Sequence, residues 1–176
     1  MELQELKIVP QFESKAVCCF TGNRPHKLPW GRNEDSFEFR AVKSRLVSEI
    51  NGLADEGYLL FVCGAALGGD MYFAEAVLET KKTRRIFLEC AVPFRGQADN
   101  WAEEDRKRYE KIIKESDFVT VLSPYYTRNC MMKRNRYMVD KSTVVITLDY
   151  GESGGTAATK AYAEKRGLRI IPLRHK

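Results

Sequence analysis

The segment Tyr58–Asp70 reads YLLFVCGAALGGD, and the fold prediction rests on the pattern it contains. Its first six residues, Tyr58–Cys63, form an apolar run of the length typical of a buried strand. A glycine-rich turn follows at once and leads into a helical pattern that begins at Asp70. A buried strand, a glycine turn and a helix in this order predict one unit of a parallel α/β sheet.

The same alternation recurs along the rest of the chain. Apolar residues recur at helical spacing between short apolar runs, most clearly at Phe39, Val42, Leu46, Ile50 and Leu53. The runs are continuous rather than alternating, which is typical of central strands covered on both faces. We therefore predict a mostly parallel sheet, wrapped on both faces by right-handed crossovers. Besides Tyr58–Cys63, the predicted strands are Ala16–Thr21, Ile86–Val92, Asp117–Leu122, Thr143–Leu148 and Leu168–Ile171.

Length and composition limit the class of protein. The chain has 176 residues, which suits one domain over residues 1–176. Its content of 44% hydrophobic and 30% charged residues excludes a wholly disordered chain. The formal net charge of +5 permits a phosphate-bearing partner without requiring nucleic acid or an anionic membrane. No run approaches the ~20 apolar residues of a membrane span.

The cysteines and histidines argue against a metal site. None of the five cysteines forms a CxxC pair, and the chain has only two histidines. Most of the cysteines lie in apolar runs, where cysteine behaves as a small hydrophobic residue. We expect reduced thiols, no bound metal and a cytoplasmic location. The segment Met1–Pro10 lacks the long apolar stretch of a signal peptide.

Glycine and hydroxyl residues gather directly after three of the predicted strands. The three loops are Thr21–Pro25, Gly64–Asp70 and Gly151–Thr156. In a parallel sheet such loops emerge at the carboxyl edge, where ligands of open α/β sheets bind. The second and third loops open helices, whose first N–H groups favour an anion. The pattern therefore predicts a site for a phosphorylated ligand at this edge.

We expect ligand contacts from all three loops. Glycine lets a ligand approach the backbone, and Arg24 supplies a forked charged donor. Glycines at such junctions also serve tight turns alone, and neither glycine loop matches GxxxxGK[ST] or GxGxxG. ATP hydrolysis and ordinary dinucleotide redox chemistry therefore lose support. The predicted ligand-binding residues are Thr21, Gly22, Asn23, Arg24, Gly64, Gly68, Gly69, Asp70, Ser153, Gly154, Gly155, Thr156 and Thr159.

Several side chains have both a structural and a functional interpretation. Asp70 would cap its helix or bind ribose hydroxyls. Glu75 would be solvated or ion-paired rather than catalytic. Asn135 lies on an apolar stripe and needs a buried hydrogen-bond partner. Trp30 would be a lid over the site or part of the core.

A second set of residues bears on nucleic acid. Tyr125 and Tyr126 would stack on a base or pack at the rim of the site. A basic run follows them, and such runs are mostly solvated helix faces. Together with the tyrosines, however, the run has the mixture that single-stranded nucleic acid uses. The basic run comprises Arg128, Lys133, Arg134 and Arg136.

Five blocks of the sequence resemble the YpsA-like proteins of bacteria. The blocks are FTGNRPHKLPWG (Phe20–Gly31), GAALGGD (Gly64–Asp70), AVPFRGQADNW (Ala91–Trp101), RNRYMVDKS (Arg134–Ser142) and SGGTAATKAYA (Ser153–Ala163). That family is part of the SLOG superfamily, which includes the DNA-processing protein DprA and the LOG cytokinin-activating hydrolases. The resemblance implies a Rossmann-like three-layer fold and a ligand related to ADP-ribose or NAD. It matches Gly68–Gly69, Gly154–Gly155 and Thr156 to the superfamily's phosphate-binding positions, with Arg24 and Asp70 beside them.

The chain departs from the resemblance at two positions. The family commonly has histidine where Asn23 stands, and asparagine cannot shuttle a proton near neutral pH. LOG hydrolases carry PGGxGTxxE, whose glutamate serves ribose cleavage, and Thr159 stands in its place here. The phosphate-binding part of the motif is present without the catalytic part, which argues against a LOG-type phosphoribohydrolase.

Three hypotheses follow, and they leave open whether the protein is an enzyme. The first is a module that binds and senses a nucleotide-like ligand, with a family link to bacterial cell division or stress. The second is a hydrolase of an N-glycosidic bond, which needs Asp70, Glu75 or Glu152 as its carboxylate. The third is DprA-like binding of single-stranded DNA, which the modest charge makes the least favoured. No cofactor is required by any of them, and the apolar helix faces leave room for a homodimer.

Overall fold

The computed structural model describes residues 9–151 and 153–174, and strands alternate with helices throughout these ranges. Short 3₁₀ turns at Ser14–Ala16 and Pro25–Lys27 flank the first strand. The strands are β1 (Val17–Gly22), β2 (Leu60–Cys63), β3 (Phe87–Val92), β4 (Phe118–Val121), β5 (Val144–Leu148) and β6 (Arg169–Pro172). The helices are α1 (Phe37–Asp55), α2 (Gly69–Thr80), α3 (Glu103–Glu115), α4 (Cys130–Asp140) and α5 (Gly155–Lys165).

The six strands form one sheet in the order β4-β3-β2-β1-β5-β6, and every pairing is parallel. The chain runs outward from β1 to β4 on one side, and then returns to the other side of β1 for β5 and β6. The strand order therefore reverses between β1 and β5. In open α/β sheets a crevice forms at the carboxyl end of such a switch point.

The apolar residues of the strands divide between two faces. In β1, Cys18 and Phe20 pack with α1, α2 and α3, whereas Val17 and Cys19 pack with α4 and α5. This division confirms the predicted α/β sandwich with helices on both faces of the sheet. All five cysteines are free and buried, as expected of small hydrophobic side chains.

The segment between β1 and α1 is fixed by a helix cap at Ser36 and by the packing of Trp30. Ser36 caps α1, since its Oγ accepts the N–H of Phe39 at 3.1 Å. Trp30 is buried and packs edge-on against Phe39 and Tyr150, with ring centroids 6.1 and 5.7 Å apart. Of its two interpretations, the core position is the one the structure shows. No helix in the described ranges is long and apolar enough to cross a bilayer.

Candidate functional site

A cavity of about 310 Å³ opens at the switch point of the sheet. Its walls come from the end of β1, the loop after β2, the inner face of α4 and the first turn of α5. Seven of the predicted ligand-binding residues line it: Thr21, Gly22, Asn23, Arg24, Asp70, Gly155 and Thr156. Residues more than 130 positions apart in the chain are thus brought together at one edge of the sheet.

Gly68 and Gly69 do not line the cavity, because the loop after β1 lies against them. An added Cβ would lie 2.7 Å from the Asn23 carbonyl oxygen at Gly68 and 3.0 Å from the Gly22 Cα at Gly69. The N–H of Gly69 donates to that same carbonyl oxygen at 3.0 Å. The glycines here permit two loops to pack, and a ligand contact from them stays a prediction.

The start of α5 is the more open of the two glycine-rich helix starts. Nothing lies within 4 Å of a Cβ added at Gly155. No side chain among the described residues caps this helix, and its first turn carries no acidic residue. Its dipole and first N–H groups are therefore available to an anion in the cavity.

Three predicted residues of the third loop and of the helix it opens lie beside the cavity rather than in its wall. Ser153 and Gly154 are exposed, and both contact the side chain of Lys27. Thr159 is buried, and its Oγ donates to the carbonyl of Gly155 at 2.8 Å within the helix. That bond occupies the proton of the Thr159 hydroxyl.

Asn23 connects the loops that follow β1 and β5. Its N–H donates to the carbonyl of Leu148 at 2.9 Å, and its Oδ1 accepts the N–H of Tyr150 at 2.6 Å. With its carbonyl oxygen bonded to Gly69, the residue holds three loops in register. Asn23 therefore shapes the cavity mainly by fixing its backbone.

Arg134 is the main site residue that the sequence did not single out. It belongs to the run interpreted as a solvated face, yet its side chain is buried and lines the cavity. Nη1 donates to the carbonyl of Gly64 at 2.8 Å, and Nε donates to Oδ1 of Asn135 at 2.8 Å. The buried partner expected for Asn135 is therefore Arg134.

Gly64 lies beneath this guanidinium group. A Cβ at Gly64 would lie 2.0 Å from Nη1 of Arg134 and 2.8 Å from Oδ2 of Asp70. The two charged groups therefore flank one point on the cavity floor. Gly64 contributes the space that lets both approach the backbone.

Asp70 places a buried carboxylate in the cavity wall. Its Oδ2 accepts the N–H of Ala66 at 3.2 Å. Burial raises the pKa of Asp70 above its usual value, and the positive charges of Arg134 and Arg24 oppose that rise. Among the described residues that line the cavity, Asp70 is the sole carboxylate.

The turn after β2 is held in an unusual conformation. Ala65 has a φ of +50°, a region that non-glycine residues rarely occupy. Gln97, from the loop after β3, donates to the carbonyls of Gly64 at 3.2 Å and Ala65 at 3.4 Å. Gln97 thus supports the strained turn from which Asp70 is presented to the cavity.

The other catalytic candidates fall outside the cavity or outside the described ranges. Glu75 forms an ion pair with Arg108, with 2.7 Å between Oε1 and Nε, so of the solvated and ion-paired alternatives the structure shows the second. Glu75 does not line the cavity. Glu152 lies outside the described residues. Tyr125 and Tyr126 are exposed, and Tyr126 packs edge-on against Phe94. No stacking platform in the cavity wall comes from these tyrosines.

Two further cations line the cavity beside Arg134. Arg24 and Lys27 come from the loop after β1, with His26 between them. Within the described residues, no ion pair is formed by Arg24, Lys27 or Arg134. The wall also carries the hydroxyls of Thr21 and Thr156, both more than nine-tenths buried.

An all-parallel sheet with a cationic cavity at its switch point defines a Rossmann-like α/β protein. The family model for YpsA, described as the YspA SLOG family, matches residues 18–170. The chain belongs to that family. A UPF0398 protein of Halalkalibacterium halodurans is 30% identical over 155 residues, covering 85% of this chain and 81% of the relative. A UPF0398 protein of Bacillus pumilus is 24% identical, covering 80% and 76%.

Two solved structures share the fold. DNA processing protein A of Helicobacter pylori, described with a single-stranded DNA binding mode, superposes with a TM-score of 0.63 at 18% identity. That match covers 93% of this chain and 67% of the other chain. The Streptococcus pneumoniae protein superposes with a TM-score of 0.61 at 17% identity, and this chain spans half of its length. At such identities the likeness shows the fold alone.

Proposed function

We propose that the protein binds a nucleotide or a nucleotide-derived ligand of the ADP-ribose or NAD kind, and acts as a sensor or regulatory module. The observation that carries this proposal is the charge of the cavity wall. Arg24, Lys27 and Arg134 face a space that contains one described carboxylate, at the point where α5 begins. Cations and helix N–H groups around one space favour an anionic ligand.

The composition of the wall suits the remainder of a nucleotide as well. The carboxylate of Asp70 and the Nδ2 group of Asn23 are suited to bond sugar hydroxyls. Met131 and Met138 give the α4 side of the cavity an apolar surface on which a base can pack. The volume of about 310 Å³ lies at the lower end of the range for small-molecule sites.

A thermal-shift screen with ADP-ribose, NAD, AMP and related compounds tests this proposal. A ligand present at 100 times its dissociation constant stabilises the folded state by about 2.7 kcal/mol. We expect at least one phosphorylated compound to raise the melting temperature. Arg134→Met is the matched variant, because it removes one cation from the cavity floor, and its shift with that compound should be smaller.

A nucleotide hydrolase is the second candidate, and Asp70 is the observation that favours it. A buried carboxylate with a raised pKa is suited to donate a proton to a leaving base. Incubation of the wild type and Asp70→Asn with nucleoside monophosphates and NAD, followed by assay of free base, separates turnover from binding. Bound compound without released base favours the sensor, whereas base release that Asp70→Asn abolishes favours the enzyme.

Binding of single-stranded DNA is the third candidate. The likeness to a protein described as binding such DNA supports it, against the expectation drawn from the modest net charge. Fluorescence anisotropy with a labelled oligonucleotide over a range of salt concentrations tests it. Binding through phosphate contacts would weaken steeply as salt rises, and no binding at low salt would remove this candidate.

A further inference from the structure

We propose that the side chain of Lys27 bridges the mouth of the cavity while no ligand is bound. When a nucleoside monophosphate binds, the ammonium group of Lys27 leaves the Ser153 carbonyl and donates to the phosphate instead. The proposal rests on the proposed function. It adds that the nucleotide carries a dianionic phosphate group and that Lys27 selects this group.

The bridge joins two loops that are distant in the chain. Lys27 ends the 3₁₀ turn after β1, and its Nζ donates to the carbonyl of Ser153 at 2.8 Å. A Cβ at Gly154, whose φ is +104°, would lie 2.6 Å from that Nζ. The glycine therefore leaves space for an ammonium group directly over the loop that opens α5.

The bridge leaves most of the bonding capacity of Lys27 unused. An ammonium group has three donors, and the structure gives this one a single acceptor among the described residues. The bond to the carbonyl pairs the charge of the ammonium with a neutral dipole, whereas a bond to a phosphate oxygen would pair two opposite charges and so gain a direct Coulomb attraction. An anion at the start of α5 would therefore draw the ammonium away from Ser153 over a short distance.

The charge balance of the wall points to a dianion. Three cations face one described carboxylate, and the carboxylate is the raised-pKa group Asp70. A phosphomonoester carries a charge of about −1.5 to −2 at pH 7, whereas a phosphodiester carries one negative charge. The monoester therefore matches the surplus of positive charge, and the cyclic diester of the same nucleoside does not.

The hydroxyls of two largely buried threonines support a ligand at this place independently of the cations. Thr21 and Thr156 are 6% and 8% exposed and both line the cavity. Neither hydroxyl has a hydrogen-bond partner in the part of the chain that the structure describes, and both oxygens are accessible from the cavity. Each hydroxyl can therefore both donate to and accept from a ligand in the cavity.

The experiment is calorimetric titration of the full chain with AMP and GMP, their 3′,5′-cyclic forms, their nucleosides and ADP-ribose. Lys27→Gln removes the ammonium, and Lys27→Arg keeps the charge. Lys165→Gln is the matched control, because it makes the same change on the exposed last turn of α5, away from the cavity. Since Lys27 is exposed, these variants should fold as the wild type does.

We expect the wild type to bind a 5′-monophosphate at least tenfold more tightly than its cyclic form or nucleoside. Lys27→Gln should lose about tenfold or more of that affinity and most of the preference, as removal of a charged hydrogen bond implies. Lys27→Arg and Lys165→Gln should retain both.

Three outcomes would overturn the inference. If Lys27→Gln keeps the preference for monophosphates, the inference fails while the proposed function stands. If the wild type binds ADP-ribose but neither monophosphate, the inference again fails alone. If no phosphorylated compound binds the wild type, the proposed function fails and the inference fails with it.

Discussion

The guanidinium of Arg134 occupies the space that a side chain at Gly64 would need. A Cβ there would lie 2.0 Å from Nη1 of Arg134, and Nη1 bonds the carbonyl of Gly64 itself. A glycine after β2 and an arginine on α4, 70 residues apart, thus form one unit of the cavity floor.

Gly64→Ala should therefore displace Arg134. The methyl group would push a buried guanidinium from its carbonyl acceptor, and we expect a loss of about 1–3 kcal/mol in the free energy of unfolding. Urea denaturation measures this loss. Gly52→Ala is the control, because nothing lies within 4 Å of a Cβ added there in α1. It should raise stability by about 0.5–1 kcal/mol. A Gly64→Ala protein as stable as the wild type would contradict the described position of Arg134.

Gly155→Ala separates stability from binding. Gly155 is exposed, has open space around its Cα and begins a helix, so alanine should leave the free energy of unfolding unchanged or raise it by up to ~1 kcal/mol. The added methyl group would occupy the approach to the first N–H groups of α5. Affinity for any phosphorylated ligand found in the screen should fall, which calorimetric titration would measure. Unchanged affinity would place the anion elsewhere.

Gly68→Ala should instead lower the stability of the protein. Gly68 has a φ of +86°, and a Cβ there would lie 2.7 Å from a backbone oxygen and 2.9 Å from Pro25. Left-handed backbone alone costs a non-glycine residue about 1–2 kcal/mol, and the clash adds to that cost. We expect a lower urea midpoint than for Gly155→Ala. Equal stability of the two variants would show that the loop after β1 is not in close contact with Gly68.

Asp70→Asn should change how stability depends on pH. Because burial raises the pKa of Asp70, the folded protein holds this proton more tightly than the unfolded chain does. The contribution is therefore most favourable below the unfolded pKa of about 3.9, and it is lost as pH rises through the raised folded value. Urea denaturation at a series of pH values from acid to neutral should show the wild type losing stability relative to Asp70→Asn. A difference that does not vary with pH would contradict the raised pKa.

Lys141→Met tests the buried network that fixes α4 to the sheet. Glu89 of β3 is fully buried, and its oxygens accept from Lys141 at 2.5 Å and Tyr137 at 2.7 Å. Removing the lysine leaves a buried carboxylate without its counter-charge, which should cost about 3 kcal/mol. The double variant with Glu89→Gln removes both charges and should recover part of the loss. No recovery in urea denaturation would mean that the pair is not coupled.

Local patterns were sufficient to predict most of the fold. Each of the six strands lies within two residues of its predicted bounds, because a continuous apolar run between glycine or polar turns allows few other structures. The helical spacing from Phe39 to Leu53 likewise identified the residues that α1 buries. The strand order could not be obtained in this way, since it depends on long-range pairing.

The grouping of the loops around one cavity could be predicted in outline, but the individual contacts could not, and ligand binding there stays a prediction. A glycine that admits a ligand and a glycine that admits a neighbouring loop look alike in sequence, so Gly68 and Gly155 could not be distinguished. Arg134 stands in a run of basic residues, and only the packing of α4 against β3 shows that it is buried. The role of Lys27 depends on a contact with Ser153, 126 residues away.

The position of a bound phosphate would show whether the cavity between β1 and β5 holds the anionic part of the ligand. A crystal structure of the protein with whichever phosphorylated compound gives the largest thermal shift would supply it. We expect phosphate oxygens within about 3 Å, hydrogen-bond distance, of the Gly155 N–H and of Nζ of Lys27. A compound bound with its phosphate away from the start of α5, or outside the space between β1 and β5, would show that the proposed anion site is wrong.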